Sequence, residues 1–304
     1  MIKVTNTGIY NTLISQLNKL ARHNRHGSFK TRERYYDAMK RFCAFLADNY
    51  RMEKIPNISG KHFEAYVAYL KARGRSAAYI KTELSAIRLF HDLIPEPRYS
   101  LPANDSLDLE RRQFGEVDRT WTAQEYEDMR QRATDQGRDV YADMVTIIRH
   151  TGLRLHECAR LDTATTEKAV RSWVLNVKGK GGKLRSIPIV DEVIEVLNRR
   201  LDSTRRGCKL FIPGGVNTDV VMNGLEQFII RNRDPHRETE APLTIHGLRH
   251  TWAAEQFIKL RTAGNTPYDA RKQVAQWLGH ERDSVSNIYL ASLSDIERKG
   301  GGSG

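Results

Sequence analysis

Residues 173–189, Trp173-Val-Leu-Asn-Val-Lys-Gly-Lys-Gly-Gly-Lys-Leu-Arg-Ser-Ile-Pro-Ile189, decide the fold class. Apolar and polar residues alternate here, which is the period of a half-buried strand. Trp173–Val177 and Arg185–Ile189 are predicted strands, and the glycines of Lys178-Gly-Lys-Gly-Gly-Lys183 supply the turn of a hairpin. On both sides the apolar spacing changes to three and four. Downstream it predicts helices over Asp191–Leu201, Asn217–Arg231, His246–Leu260 and Pro267–Leu278. Upstream, Val140, Met144, Ile147 and Ile148 share one face of a helix over 139–150 that Gly152 stops, and Thr122-Ala-Gln-Glu125 is a capping box. The expected class is mainly α with a small β-sheet.

The first third reads as helical. Tyr35, Met39, Phe42, Leu46 and Tyr50 form one stripe; Ser59 caps a helix carrying Phe63, Val67 and Leu70 that Gly74 ends; Ser76 opens another with Ile80, Leu84, Ile87 and Phe90. On this reading about 25 residues precede the first well-defined helix. Between Pro95 and Arg119 the pattern breaks, with Pro95, Pro97 and Pro102, then Asn104-Asp105-Ser106 and Glu110-Arg111-Arg112. The expected organisation is a helical domain over 1–100, a linker over 101–119 and a second domain over 120–299; Gly300-Gly-Gly-Ser-Gly304 resembles an engineered tail.

Of the 304 residues, 39% are apolar and 28% charged, enough to build cores and inconsistent with a largely disordered chain. No apolar run approaches the roughly 20 residues of a membrane span, and no signal-peptide core opens the sequence. A soluble, intracellular, cytoplasmic protein is expected. Cys43, Cys158 and Cys208 are too far apart for a Cys-x-x-Cys site. The net charge is +12, of which +7 falls in residues 1–118 and +5 beyond them. A positive bias spread over two folded domains suits a long polyanion, and DNA is the commonest.

Several short boxes could carry chemistry. Thr151-Gly-Leu-Arg154-Leu-His-Glu157 places Arg154 at a helix start with Glu157 three residues on. Lys180 and Lys183 sit on the glycine turn, where an ammonium can meet phosphate or donate a proton. His246-Gly-Leu-Arg249-His250 puts His246 and Arg249 on one helix face, with Thr244 as cap. Trp277-Leu-Gly279-His280 and Ser286-Asn-Ile-Tyr289-Leu290 complete the set. The basic turn Lys71-Ala-Arg73-Gly-Arg75, just before a helix, suits a DNA phosphate. Each box alone is ordinary: an Arg–Glu pair at this spacing is usually a surface ion pair worth about 0–1 kcal/mol.

Their order is not ordinary. From Arg154 the steps are 26 to Lys180, 66 to His246, 3 to Arg249, 31 to His280 and 9 to Tyr289. In that order the second domain closely resembles the tyrosine recombinase (phage integrase) family, and the basic helical first domain resembles that family's core-binding domain. The resemblance implies a two-domain DNA clamp in which Arg154 and Arg249 hold the scissile phosphate, Tyr289 is the nucleophile and Lys180 the acid for the leaving oxygen. It further implies that His246 and His280 hydrogen-bond the phosphate, that Glu157 orients Arg154, and that Lys183 stands in for Lys180 if the hairpin register slips. Implied partners are double-stranded recombination sites, three further copies of the chain in a homotetramer on two duplexes, and an accessory factor that sets direction. Neither metal nor nucleotide cofactor is expected: no acidic cluster suggests a two-metal site, and no phosphate-binding Gly-x-x-x-x-Gly-Lys-Ser/Thr loop occurs. The family's additional N-terminal arm-binding domain is not expected. A type IB topoisomerase, which shares the catalytic set, and a DNA-binding protein with a vestigial set are the alternative readings.

Overall fold

A computed structural model describes residues 3–107, 109, 118–179, 182, 184–235, 237 and 241–279 of the chain. The expected tail at 300–304 lies outside them. The chain divides into two compact units, residues 1–112 and 113–304.

The first unit is built on four helices, α1 (Thr7–His23), α2 (Phe29–Tyr50), α3 (Gly60–Ala72) and α4 (Ala77–Asp92). The aromatic stripe of α2 is core: Met39, Phe42 and Leu46 are fully buried, with Tyr35 and Tyr50 at its rim. Burying one such side chain stabilises by about 1.5–3 kcal/mol. Helix α1 corrects the expectation of about 25 residues before the first helix; its Leu13 and Leu17 are fully buried in the same core. A buried carboxylate ties three of these helices. Glu83 on α4 accepts from Arg41 of α2 through both oxygens, at 2.6 and 3.1 Å, and from the Tyr66 hydroxyl of α3.

The expected linker starts later than residue 101. Arg88 on α4 donates Nη2 to the Pro102 carbonyl at 2.6 Å and Nη1 to Asn104 Oδ1 at 2.8 Å, and Leu107 is buried in the first unit's core. The Pro102 carbonyl and the Asn104 side chain give that guanidinium its acceptors.

In the second unit, α5 (Ala123–Asp135) opens on the expected capping box: Glu125 N–H donates to Thr122 Oγ1, and Thr122 N–H donates to Glu125 Oε2. Next come α6 (Asp139–Thr151), a single turn α7 (Leu155–Cys158) and α8 (Thr163–Ser172). Helix α6 packs on α5 and on two later helices, α9 (Asp191–Ser203) and α11 (Ile245–Thr262), which makes it the centre of the unit. Between α8 and α9 runs the hairpin, β1 (Val174–Lys178) antiparallel to β2 (Leu184–Pro188). Asn176 pairs with Ser186 on the outer face, while Leu175, Val177, Arg185 and Ile187 point inward. Trp173 is not in the strand; it caps α8 in the left-handed conformation. Helices α10 (Thr218–Asn232) and α12 (Pro267–Leu278) complete the unit. Among the described residues no helix is long and apolar enough to cross a membrane.

Candidate active site

The site begins with the turn that follows α6. Gly152 caps that helix at φ +63°, and a Cβ there would lie 2.4 Å from Trp252 Cε3 of α11, so only glycine lets the two helices approach this closely. The turn sends Arg154 to the N-cap position of α7. Arg154 N–H donates to Glu157 Oε2 at 2.8 Å and Arg154 Nη1 donates to Oε1 at 3.0 Å. The surface ion pair that this spacing usually makes is therefore half true: Arg154 is a quarter exposed, but the Glu157 side chain is wholly buried.

A buried carboxylate needs cationic partners. Burial opposes ionisation of Glu157, but hydrogen bonds and charge from Arg185, with the amide and charge of Arg154, outweigh it and push the carboxyl down to about 2. Arg185 donates Nη1 to Oε1 at 3.0 Å and Nη2 to Oε2 at 2.6 Å. Arg249 Nη1 lies 4.0 Å from Oε2. One carboxylate thus collects three guanidiniums from α7, β2 and α11.

Arg249 is itself fully buried, on the first turns of α11. Its Nη1 donates to the Gly152 carbonyl and its Nη2 to the Leu278 carbonyl at 2.6 Å, so it bridges the turn after α6 to the end of α12. His246 lies one turn before it on α11, opened by the Thr244 cap. His246 is exposed, yet the protein around its ring partly desolvates it. That desolvation, with the charges of Arg249, Arg154 and Arg119, holds the imidazole down to about 4, hence neutral near pH 7. The ring of His250 meets that of His246 edge-on at 5.1 Å; burial, then His246, Arg119 and Arg249, push it down to about 3.

A strap holds the start of α11. Trp121 N–H donates to Thr251 Oγ1 at 2.7 Å and its indole N–H to the Thr244 carbonyl at 3.0 Å. A Cβ on Gly247 would lie 2.5 Å from the Arg119 carbonyl oxygen, so the glycine of the His-Gly-Leu-Arg-His box is what admits this strap.

The structure thus brings Arg154, Glu157 and Arg249 together, with His246 within electrostatic reach of both arginines. Lys180, Lys183, His280 and Tyr289 lie outside the described residues. Lys71, Arg73 and Arg75 belong to the first unit, exposed at the turn between α3 and α4; the Arg73 and Arg75 guanidiniums lie over the Tyr69 and Tyr79 rings, at 4.4 and 5.3 Å. The sequence reading missed Arg185. Its signal was available: it shares the inward register of β2 with Ile187, where an arginine needs a buried partner. Cys158, adjacent to Glu157, is fully buried, and burial pushes its thiol up, the behaviour of an inert core residue. Among the described residues no group of three or more His, Cys, Asp or Glu could hold a metal ion.

Residues 119–295 match the phage integrase family, and residues 10–93 match phage integrase, N-terminal. A protein of Sinorhizobium fredii described as putative integrase/recombinase y4rC is 30% identical over 166 residues, 52% of this chain and 47% of that protein; the chain thus aligns with about half of that relative's length. Tyrosine recombinase XerD of Staphylococcus epidermidis is 24% identical over 95% of this chain and 97% of its own. The fold is similar to that in the crystal structure of a lambda integrase tetramer bound to a Holliday junction, with a TM-score of 0.65 and 17% identity over 91% of this chain and 76% of that one.

Proposed function

The chain belongs to the phage integrase family, and from that premise we propose that it is a tyrosine-type site-specific DNA recombinase acting through a 3′-phosphotyrosyl intermediate. The observation that carries the reading is the single buried Glu157 shared by Arg154 and Arg249, with a neutral His246 beside them. Such a cluster holds positive charge in place before any anion arrives, which is what a pentacoordinate phosphorus requires.

In this reading Arg154 and Arg249 neutralise the non-bridging oxygens of the scissile phosphate. The Tyr289 oxygen attacks phosphorus, the bond to the 5′ oxygen breaks, and Lys180, or Lys183 in its place, delivers a proton to that oxygen. The phenolic proton of Tyr289 passes to His246, held neutral, or to His280, both of which also hydrogen-bond the phosphate. Attack of a second strand's 5′ hydroxyl on the phosphotyrosine reverses these events. The phosphodiester energy is kept in the tyrosyl bond, so rejoining consumes no ATP, and no metal is assigned a step. The exposed cations Lys71, Arg73 and Arg75 serve the first unit's grip on duplex phosphates. Exchange of four strands on two duplexes assigns the working form to four copies of the chain, with direction left to an accessory protein.

The test is a pool of nicked duplexes with a randomised core, incubated with the protein and denatured. Wild-type protein is expected to give a denaturant-resistant covalent adduct, and Tyr289→Phe none. The selected duplex should then exchange strands with a second copy of itself. Absence of adduct removes the enzymatic reading; adduct with supercoil relaxation and no exchange converts it to a topoisomerase.

A further inference from the structure

Each of the three guanidinium nitrogens of Arg185 donates a hydrogen bond inside the protein. Nη1 and Nη2 take the two oxygens of Glu157, and Nε donates to the Trp277 carbonyl at 2.7 Å. Its side chain is 6% exposed. It is therefore not placed to hold a phosphate, in contrast to Arg154, a quarter exposed on the same carboxylate. What it grips is informative. Glu157 is the residue that holds Arg154. Trp277 and Leu278 end α12, and the adjacent Leu278 carbonyl is taken by Arg249. Two arginines from different elements thus clamp consecutive carbonyls of the helix that precedes His280. Arg185 also follows Lys183 by two residues on the strand leaving the lysine turn.

We propose that Arg185 is a positioning residue for DNA cleavage: it locks both oxygens of Glu157, so that Arg154 is held in register with Arg249. Through Trp277 it fixes that register against the helix end from which residues 280–289 depart. A free Glu157 carboxylate could rotate and follow Arg154; a doubly held one cannot, and the guanidinium it carries is pre-aimed. The proposal rests on the recombinase reading above.

The experiment uses the full chain and the duplex trapped from the randomised pool. It measures DNA affinity and, separately, the rate of adduct formation in the preformed complex. In Arg185→Gln the rate is expected to fall about ten- to a hundredfold, the scale of a misplaced catalytic group, with DNA affinity within about twofold of wild type. Arg185→Lys, which keeps the charge but cannot span both oxygens, should fall between the two. Where Arg185→Gln does not fold, Arg185→Lys carries the comparison. Because Arg185 acts mainly through Glu157, Arg185→Lys introduced into Glu157→Gln should cost clearly less rate than Arg185→Lys costs in the wild-type protein. Three results would overturn the proposal: wild-type rates in the Arg185 variants, a loss of DNA affinity parallel to the loss of rate, or additive losses in the double variant. If wild-type protein gives no adduct with any duplex, the recombinase reading fails on its own. Hydrogen exchange at the Arg154 amide, which donates to Glu157, then decides: faster exchange in Arg185→Lys than in wild type supports the clamp, and equal exchange overturns it.

Discussion

At the scale of single residues the site depends on what is absent as much as on what is present. Gly152 has no side chain, and Trp252 occupies the space that one would fill. Replacing it with alanine forces a left-handed φ on a residue with a Cβ and drives that carbon into an indole. Gly152→Ala is expected to lose about 2–4 kcal/mol of stability, from backbone strain and overpacking together, read as a lower denaturation midpoint in urea. The Gly152 carbonyl also holds Arg249, so the folded fraction of this variant should cleave DNA more slowly than wild type. Arg154 and Glu157 were legible because they are neighbours in sequence. Arg185 was legible only as an inward-facing cation: its partners lie 28 and 92 residues away, a distance over which spacing carries no information.

At the scale of elements, legibility followed periodicity and caps. Helices α6, α9, α10, α11 and α12 were readable from apolar steps of three and four and from Gly152, Thr244 and Gly279 at their ends. Helix α8 was missed; its sequence Thr-Ala-Thr-Thr carries β-branched residues that favour strands, and Asp162, accepting from Thr165 N–H, supplies the cap that starts it. Helix α1 was missed although Leu13 and Leu17 are correctly spaced, because its N-cap Asn6 makes no side-chain cap bond and Asn11, Thr12, Gln16 and Asn18 dilute the stripe.

Helix α11 also has a pH dependence built into it. The folded chain holds His250 near 3 and His246 near 4, below their ordinary 6.5, so unfolding takes up protons in acid. Their contribution is complete above pH 6.5 and is lost progressively as pH falls from there toward 4 and 3. Glu157, held near 2 against an ordinary 4.5, keeps its contribution above pH 4.5 and loses it toward 2. Melting temperature should fall from pH 7.5 to pH 4.5, and His250→Gln should flatten that slope.

At the scale of the whole molecule, the charge of +12 is carried by both parts of the chain, +7 through residue 118 and +5 after it. Affinity for duplex DNA is expected to fall linearly on logarithmic axes as salt rises, with a slope of about −0.9 per phosphate contacted. Neutralising Lys71, Arg73 and Arg75 together should make that slope shallower by about three, read from binding titrations at several salt concentrations. The net charge was legible from composition, whereas the cluster around Glu157 depends on the fold of the second unit.

The Trp121 strap bears on how the protein can be dissected. The second unit's first helix starts at Ala123, which invites a cut just before it. A fragment beginning there would lack the indole and amide that satisfy Thr244 and Thr251, and would bare the groove that Gly247 keeps open on the helix bearing His246 and Arg249. The safe place to start a fragment of the second unit is therefore no later than Asp118, whose carboxylate already organises Thr120 ahead of the strap.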